Sequence, residues 1–541
     1  MFTRAAIQRL FTRRRLAWFG AIALVLTGAL VITAWILARR VEPFLREQTI
    51  AYLEEKYKAD VEIGGFRASM PLLNPIAVLL TRGHGGHVQV AVDKIQVRRP
   101  QHAEYPPFMT IRELAFRVHL PSLLTKPVVV DHLRLAGLEI HIPPKDERGP
   151  LLGNPDPESP ESGDKEDKPP AVIDAVDADG AVLVVHPKDK SKEPLRFDMQ
   201  RLRLKSAGPG VAMRYDTVLR NPKPPGMVDC EGTFGPFDVD SPGDSPLTGQ
   251  YTFTNADLGV FKGVAGTLAS RGQFQGRLNE IIVDGEADVP DFRLTRSGNR
   301  VPLKTRFHAI VDGTNGNTLL QPVRASLGKS YFVVRGGVVR NRGENGKTVA
   351  LDVASERGDL HDFLTLVLKG NKQPLTGGVG MKVKIEIPPG KADYADRLVV
   401  SGSFGLMKAR FTSPEVQEKI DDLSRRAQGK PRNTQIDNVP SDFAGNLHLK
   451  NGVLRLNDLT FDITGADVLL NGTYNLQDDG LDFRGVARTR ARVSQMVKSR
   501  WKGLLLKPVD PFFAKDGAGA VFKIAITGTR QEPDFGLDRG K

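Results

Sequence analysis

The chain has 541 residues, 26% charged and 40% hydrophobic, with a formal net charge of +13 and one cysteine, Cys230. That balance excludes an intrinsically disordered chain and supplies apolar mass for more than one core, and a single cysteine excludes any disulfide within the chain. The 76 lysines and arginines are scattered without an aromatic-interleaved cluster, which argues against a nucleic-acid partner.

Residues 1–15, with Arg4, Arg9, Arg13, Arg14 and Arg15, form a short basic tail. Leu16 to Ala38 then runs 23 residues without a charge. As a helix it is about 34 Å long, against a hydrocarbon core of about 30 Å, so it is expected to cross a membrane once. Leu16, Trp18, Trp35 and Leu37 are its expected membrane contacts. Five arginines precede it, while Arg39, Arg40 and Arg46 follow closely. The bias puts the N-terminus in the cytoplasm and the bulk of the chain across the membrane. A cleaved signal peptide would have a shorter apolar core and a small-x-small site where Arg39-Arg40 stand.

Residues 39–142 read as a helix followed by a first β segment. Val41 to Tyr57 places Phe44, Leu45, Tyr52 and Leu53 on one broad face. From Val61 the texture changes to apolar/polar alternation. Leu114, Phe116, Val118 and Leu120 alternate with Ala115, Arg117 and His119, and Leu138, Ile140 and Ile142 with Glu139 and His141. A period of two gives each strand one buried and one wet face, the mark of an antiparallel sheet. Residues 143–171 interrupt it with eight prolines and eight acids against four bases, a composition expected to be a disordered loop.

Residues 172–541 resume the alternation as the main β region. Val383, Ile385 and Ile387 alternate with Lys382, Lys384 and Glu386, and Phe522, Ile524 and Ile526 with Lys523, Ala525 and Thr527. Three helices punctuate it. Ser413-Pro414-Glu415 gives one a cap, a first-turn proline and a first-turn acid, and Asp359 opens another. The third aligns Val493, Val497, Trp501 and Leu504 on one side among basic residues. It is expected either to lie in a head-group layer through Trp501 or to close one end of the sheet.

No pattern for catalysis emerges. Gly328-Lys329-Ser330 and Gly346-Lys347-Thr348 resemble ends of a phosphate loop, but Val323 and Asn341 stand where its first glycine belongs. His84 and His87 lack the companions of a metal motif. No motif in the sequence around Cys230 marks it as a nucleophile. The expectation is a protein that is not an enzyme, with no cofactor and no metal.

The chain resembles the AsmA-like family of bacterial envelope proteins, related to the repeating β-groove lipid-transfer proteins. The residues that carry the likeness are the anchor with Tyr52 to Tyr57, the run from Ala256-Asp257-Leu258 through Gly272-Gln273-Phe274-Gln275-Gly276 to Pro290-Asp291-Phe292, and Val311 to Gly316. Asp442 to Gly445, Asn451 to Leu454, Gly472-Thr473-Tyr474, Ile526 to Thr529 and Pro533 to Leu537 complete it. The resemblance implies an elongated, curled antiparallel sheet with an apolar groove. It also implies hanging from the inner membrane into the periplasm, with a part in phospholipid movement and outer-membrane upkeep, and it supplies no catalytic residues.

On that footing the groove is expected to hold acyl chains against Leu114, Phe116, Val118, Leu133, Leu135, Leu138, Ile140, Ile142, Val383 and Ile385. The same residues are equally those of an ordinary sheet core. The partners expected are the inner membrane through the N-terminal helix, phospholipid and envelope proteins. The alternative function is a scaffold or assembly factor for outer-membrane proteins, one that adds strands at an exposed edge.

Overall fold

The computed structural model describes Ile50 and residues 60–69, 87–98, 105–119, 128–144, 171–187, 193–207 and 211–236. Apart from isolated positions it also describes 241–496 and 519–538. The alternating segments form one large, mostly antiparallel sheet with few helices. The chain divides into two compact units, 1–219 and 220–541.

In the first unit the strands are β1 (Asp60–Ser69), β2 (His87–Arg98), β3 (Met109–His119), β4 (Val128–Ile142), β5 (Ala171–Val185) and β6 (Leu195–Ala207). Consecutive strands pair antiparallel, except that β4 and β5 run parallel. That pair departs from the all-antiparallel expectation. Antiparallel neighbours can follow a tight turn, whereas parallel ones need a crossover of a dozen or more residues. The 28 residues between Ile142 and Ala171 meet that need.

A line of pleat slips crosses this unit. Strict alternation would send Leu133 and Leu135 to one face of β4 and Leu138 and Ile140 to the other. Instead Leu135 and Leu138 both pack on the core that holds Val92, Ile95 and Ile111. The slip falls at Gly137, which is left-handed (φ 64°) and lies where β3 has Arg112. The same line passes through Gly64, Lys94 (φ 55°), Gly180 (φ 64°) and Gln200, and every ladder lacks its rung there. Because all six strands slip together, the register survives and one face stays apolar on both sides of the line. Beside it Phe66, Val92, Leu114, Leu135, Ala178 and Leu202 run as successive rung partners.

β7 (Met213–Pro222) crosses the division. The second unit continues with β8 (Pro225–Phe234), β9 (Pro246–Asp257), the short β10 (Val264–Ala265), β11 (Thr267–Arg277), β12 (Glu280–Val289) and the short β13 (Arg293–Leu294). Next come β14 (Leu303–Val311), β15 (Thr318–Leu327), β16 (Ser330–Val339), β17 (Thr348–Asp359), β18 (Leu375–Ile387) and β19 (Val399–Phe411). The last are β20 (Ser441–Lys450), β21 (Val453–Ile463), β22 (Ala466–Asn475), β23 (Gly480–Thr489), β24 (Ala520–Thr529) and β25 (Pro533–Leu537). The long strands pair in chain order. At the β20–β21 hairpin, Asn451 and Gly452 both take positive φ (52° and 76°), the pair of conformations that a two-residue turn of this hand requires.

Helix α1 (Leu360–Val367) starts at Asp359, whose carboxylate accepts from the His361 N–H at 3.0 Å. The short α2 (Tyr394–Arg397) precedes β19. In α3 (Pro414–Ala427) Ser413 caps the N-terminus, Pro414 opens the first turn, and Arg425 and Arg426 sit in the last, as the sequence predicts. α1 packs on β17 and β18, and α3 on β19 and β22. Leu360 of α1 is buried with Val379, Leu406 and Ala409 in one cluster, and Leu459, Phe461, Val468, Leu470 and Phe483 form the other.

One expectation is corrected. Within each unit the sheet is neither closed nor curled: the long strands pair in chain order as an open ladder. No helix among the described residues is long and apolar enough to cross a membrane. The expected span with Leu16, Trp18, Trp35 and Leu37, the helix at 41–57 apart from Ile50, residues 145–170 of the acidic loop, and Trp501 lie outside the described residues. Of the third helix, α4 (Val493–Met496) is described.

Candidate functional site

Eight of the ten residues proposed for an apolar site fall in the first unit, on one face. The ladder puts Leu114 opposite Leu135, Phe116 opposite Leu133, Ile111 opposite Leu138, and Met109 opposite Ile140. Ile142 follows two residues beyond Ile140. Burial is graded across this face. Val61, Ile63, Val90, Val92, Ile95 and Val97 on β1 and β2 are buried, with Ile50 packed against them. Leu114, Phe116, Leu133, Leu135, Leu138, Ile140 and Ile142 are half-buried. Val118 is only 2% exposed and is core.

Val383 and Ile385 belong to the second unit, where they share one face of β18. Ile385 sits in a row of rung partners, Leu351, Ile385, Val400, Leu449, Leu454, Tyr474 and Leu481, crossing β17 to β23. Seven strands at about 4.8 Å spacing make this apolar row about 29 Å long. Every member is half-buried. Tyr474 turns its hydroxyl to donate to Asp479. Burial first, then that hydrogen bond to an anion, pushes its pKa up to about 12, so the phenol stays neutral within the row. On the strand β25 the apolar positions come into the open. Phe535 pairs with Ile526 and Leu537 with Ile524, yet they are 53% and 63% exposed.

The opposite faces are polar. In the first unit Arg67 pairs with Asp93 at 2.7 Å, His132 with Asp177 at 2.7 Å and Arg201 with Asp216 at 2.7 Å. At the far ends of β4 and β5, the His141 and His186 rings stack, with Nδ1 of the first 2.9 Å from Nε2 of the second. Tyr105 meets His186 edge-on, and Glu139 bonds His141 at 3.2 Å. Burial, then the neighbouring His141, lowers the His186 pKa.

In the second unit the charged face carries a cavity of about 740 Å³ lined from β9, β11, β12, β14, β15 and β16. Its floor holds Arg271, Glu286, Arg306 and Arg324 as successive rung partners. Arg306 donates from Nε and Nη2 to one Glu286 oxygen (3.1 and 2.6 Å), and Arg271 reaches the other at 3.3 Å. Those bonds, Arg306 first, lower the Glu286 pKa. Sequence inspection passes over this site. The signal was the alternation Lys304, Arg306, His308, which a solvated strand face produces equally well.

The chain finds no match among known protein families, curated proteins or solved structures. The Gly328-Lys329-Ser330 turn serves packing: Lys329 N–H and Ser330 Oγ both donate to Asp362 on α1, each at 2.8 Å. Among the described residues no three His, Cys, Asp or Glu side chains gather as metal ligands. The imidazole of His87 and all of His84 fall outside the description.

Proposed function

We propose that the chain binds phospholipid through the apolar face of its sheet, held to the inner membrane by Leu16 to Ala38 with its bulk in the periplasm, and supports outer-membrane lipid homeostasis. The observation that carries this is the half-buried apolar row, Leu351 to Leu481 in the second unit, matched by Leu114, Leu135 and their neighbours in the first. A soluble monomer commonly covers such a surface, because each methylene removed from water is worth about 0.8 kcal/mol. Hydrocarbon tails satisfy it without directional bonds, so no polar consensus site is required. The resemblance to AsmA-like proteins points the same way. The function is binding, with no covalent chemistry and no cofactor.

A second use, as a scaffold for envelope proteins, is favoured by one feature. The strand β25 presents Phe535 and Leu537 to solvent beside a backbone edge that no strand among the described residues pairs with, a surface that accepts an added strand.

Mass spectrometry of lipids extracted from the detergent-purified full chain tests the first reading. Phospholipid enriched over a detergent-matched control supports it. Absence of enriched lipid, together with protein cross-links through β25, would replace it with the second.

A further inference from the structure

Arg306 and Arg324 face each other directly across the β14–β15 ladder. Like charges at directly opposed positions destabilise a sheet unless something negative joins them. Arg306 has its counter-ion, since two of its nitrogens engage Glu286. That carboxylate is also held from its other side by Arg271, so it has nothing left for Arg324. The Arg324 side chain has no hydrogen-bond or ion-pair partner among the described residues. Lys304 lies one outward position along β14, only loosely tied to Asp288 at 3.8 Å. The cavity thus holds four cations (Arg271, Lys304, Arg306, Arg324) against two carboxylates (Glu286, Asp288).

The rest of the lining suits a polar body attached to an anion. Thr252, Thr254 and Ser326 supply hydroxyls, and Tyr331, the rung partner of Ser326, is 72% exposed. An aromatic ring left that open is a platform for the apolar edge of a sugar or glycerol unit. Guanidinium groups match phosphate oxygens in pairs, a geometry that Lys does not reproduce.

We infer that this cavity binds a phosphate ester carried on a small hydroxylated body, with Arg324 and the outer edge of Arg306 gripping the phosphate. The site lies on the face opposite the apolar row and does not depend on lipid binding there. Two sources share the chemistry, a glycerophospholipid headgroup and a free phosphorylated sugar or glycerol.

The test uses the purified full chain. Glycerol 3-phosphate is titrated calorimetrically, and vesicles of phosphatidylglycerol or of phosphatidylcholine are floated with the protein. Binding should weaken at least about tenfold in Arg324→Gln and only partly recover in Arg324→Lys. It should also fall steeply as salt rises. Binding of free glycerol 3-phosphate assigns a soluble ester. Binding of phosphatidylglycerol vesicles alone, lost in Arg324→Gln, assigns a headgroup. Where the soluble ester is the ligand, Arg324→Gln should leave co-purified lipid unchanged, which separates this site from the apolar face. No binding of either probe, or equal binding by wild type and Arg324→Gln, overturns the inference.

Discussion

Leu114 on β3 and Leu135 on β4 are direct rung partners, half-buried, and both pack against the cluster built on Val92, Ile95 and Ile111. Opposed side chains in a ladder stand about 4.5–5.5 Å apart at Cβ, so together they form a continuous apolar surface two rungs from Phe116 and Leu133. A charge placed there is partly desolvated and repels hydrocarbon. The double variant Leu135→Asp/Ile140→Asp should lose most of any co-purified phospholipid, while Leu135→Ala, which removes volume without adding charge, should retain it. Lipid-to-protein ratio by mass spectrometry checks this. Full retention in the double variant would show that the face is core alone.

The pleat slip gives a stability prediction independent of lipid. Gly137 is left-handed, and a Cβ built on it would stand 3.0 Å from the Cβ of Arg112. Gly137→Val should cost about 2 kcal/mol, from the left-handed penalty and the forced shift of Arg112. Gly137→Asn should cost less, because asparagine tolerates that conformation better. Urea midpoints of the two variants measure the difference. Equal midpoints would mean the slip is not anchored at this residue.

That same slip marks where the sequence stops being legible. Alternation identified the strands, and caps such as Ser413 and Asp359 located two helices, because both signals are local. Alternation could not tell whether Leu133 and Leu138 share a face. The answer depends on one left-handed residue in β4 and on matching slips at Lys94 and Gly180 in strands far along the chain. The parallel β4–β5 pair was hidden for a related reason: strand direction is set by the length of the connection, not by the strand's own pattern. The charged cavity was illegible because Arg306 and Arg324 become neighbours only through the register of β14 with β15.

The stacked histidines predict a pH response. Facing His186 are His141, Tyr105 and, through His141, Glu139. Its pKa in the folded chain lies below the ordinary 6.5, from burial first and then from His141. The unfolded chain therefore takes up this proton first as pH falls. Stability is fully present above about 6.5 and declines as pH drops through the window between the ordinary and the lowered value. Urea midpoints from pH 8 to pH 5 should fall more for the wild type than for His186→Gln. Parallel curves would sink the assignment.

Asp462 poses the opposite case. Asp442, Asp462 and Asp467 are successive rung partners across β20, β21 and β22, and the Asp462 pKa is raised by burial first, then by Asp467 and Asp442. The folded chain now holds the proton more firmly than the unfolded chain, so this carboxylate's contribution improves as pH falls towards its raised value and is least favourable at neutral pH. Removing one neighbouring charge should relieve it. Asp467→Asn is expected to raise stability at pH 7 by several tenths of a kcal/mol, the scale of directly opposed like charges in a sheet. The gain should shrink as the pH is lowered and Asp462 becomes neutral in the wild type as well. Thermal midpoints of the two proteins at pH 7 and at pH 4.5 test both halves. A gain of equal size at the two values would mean that the substitution acts through packing rather than through charge.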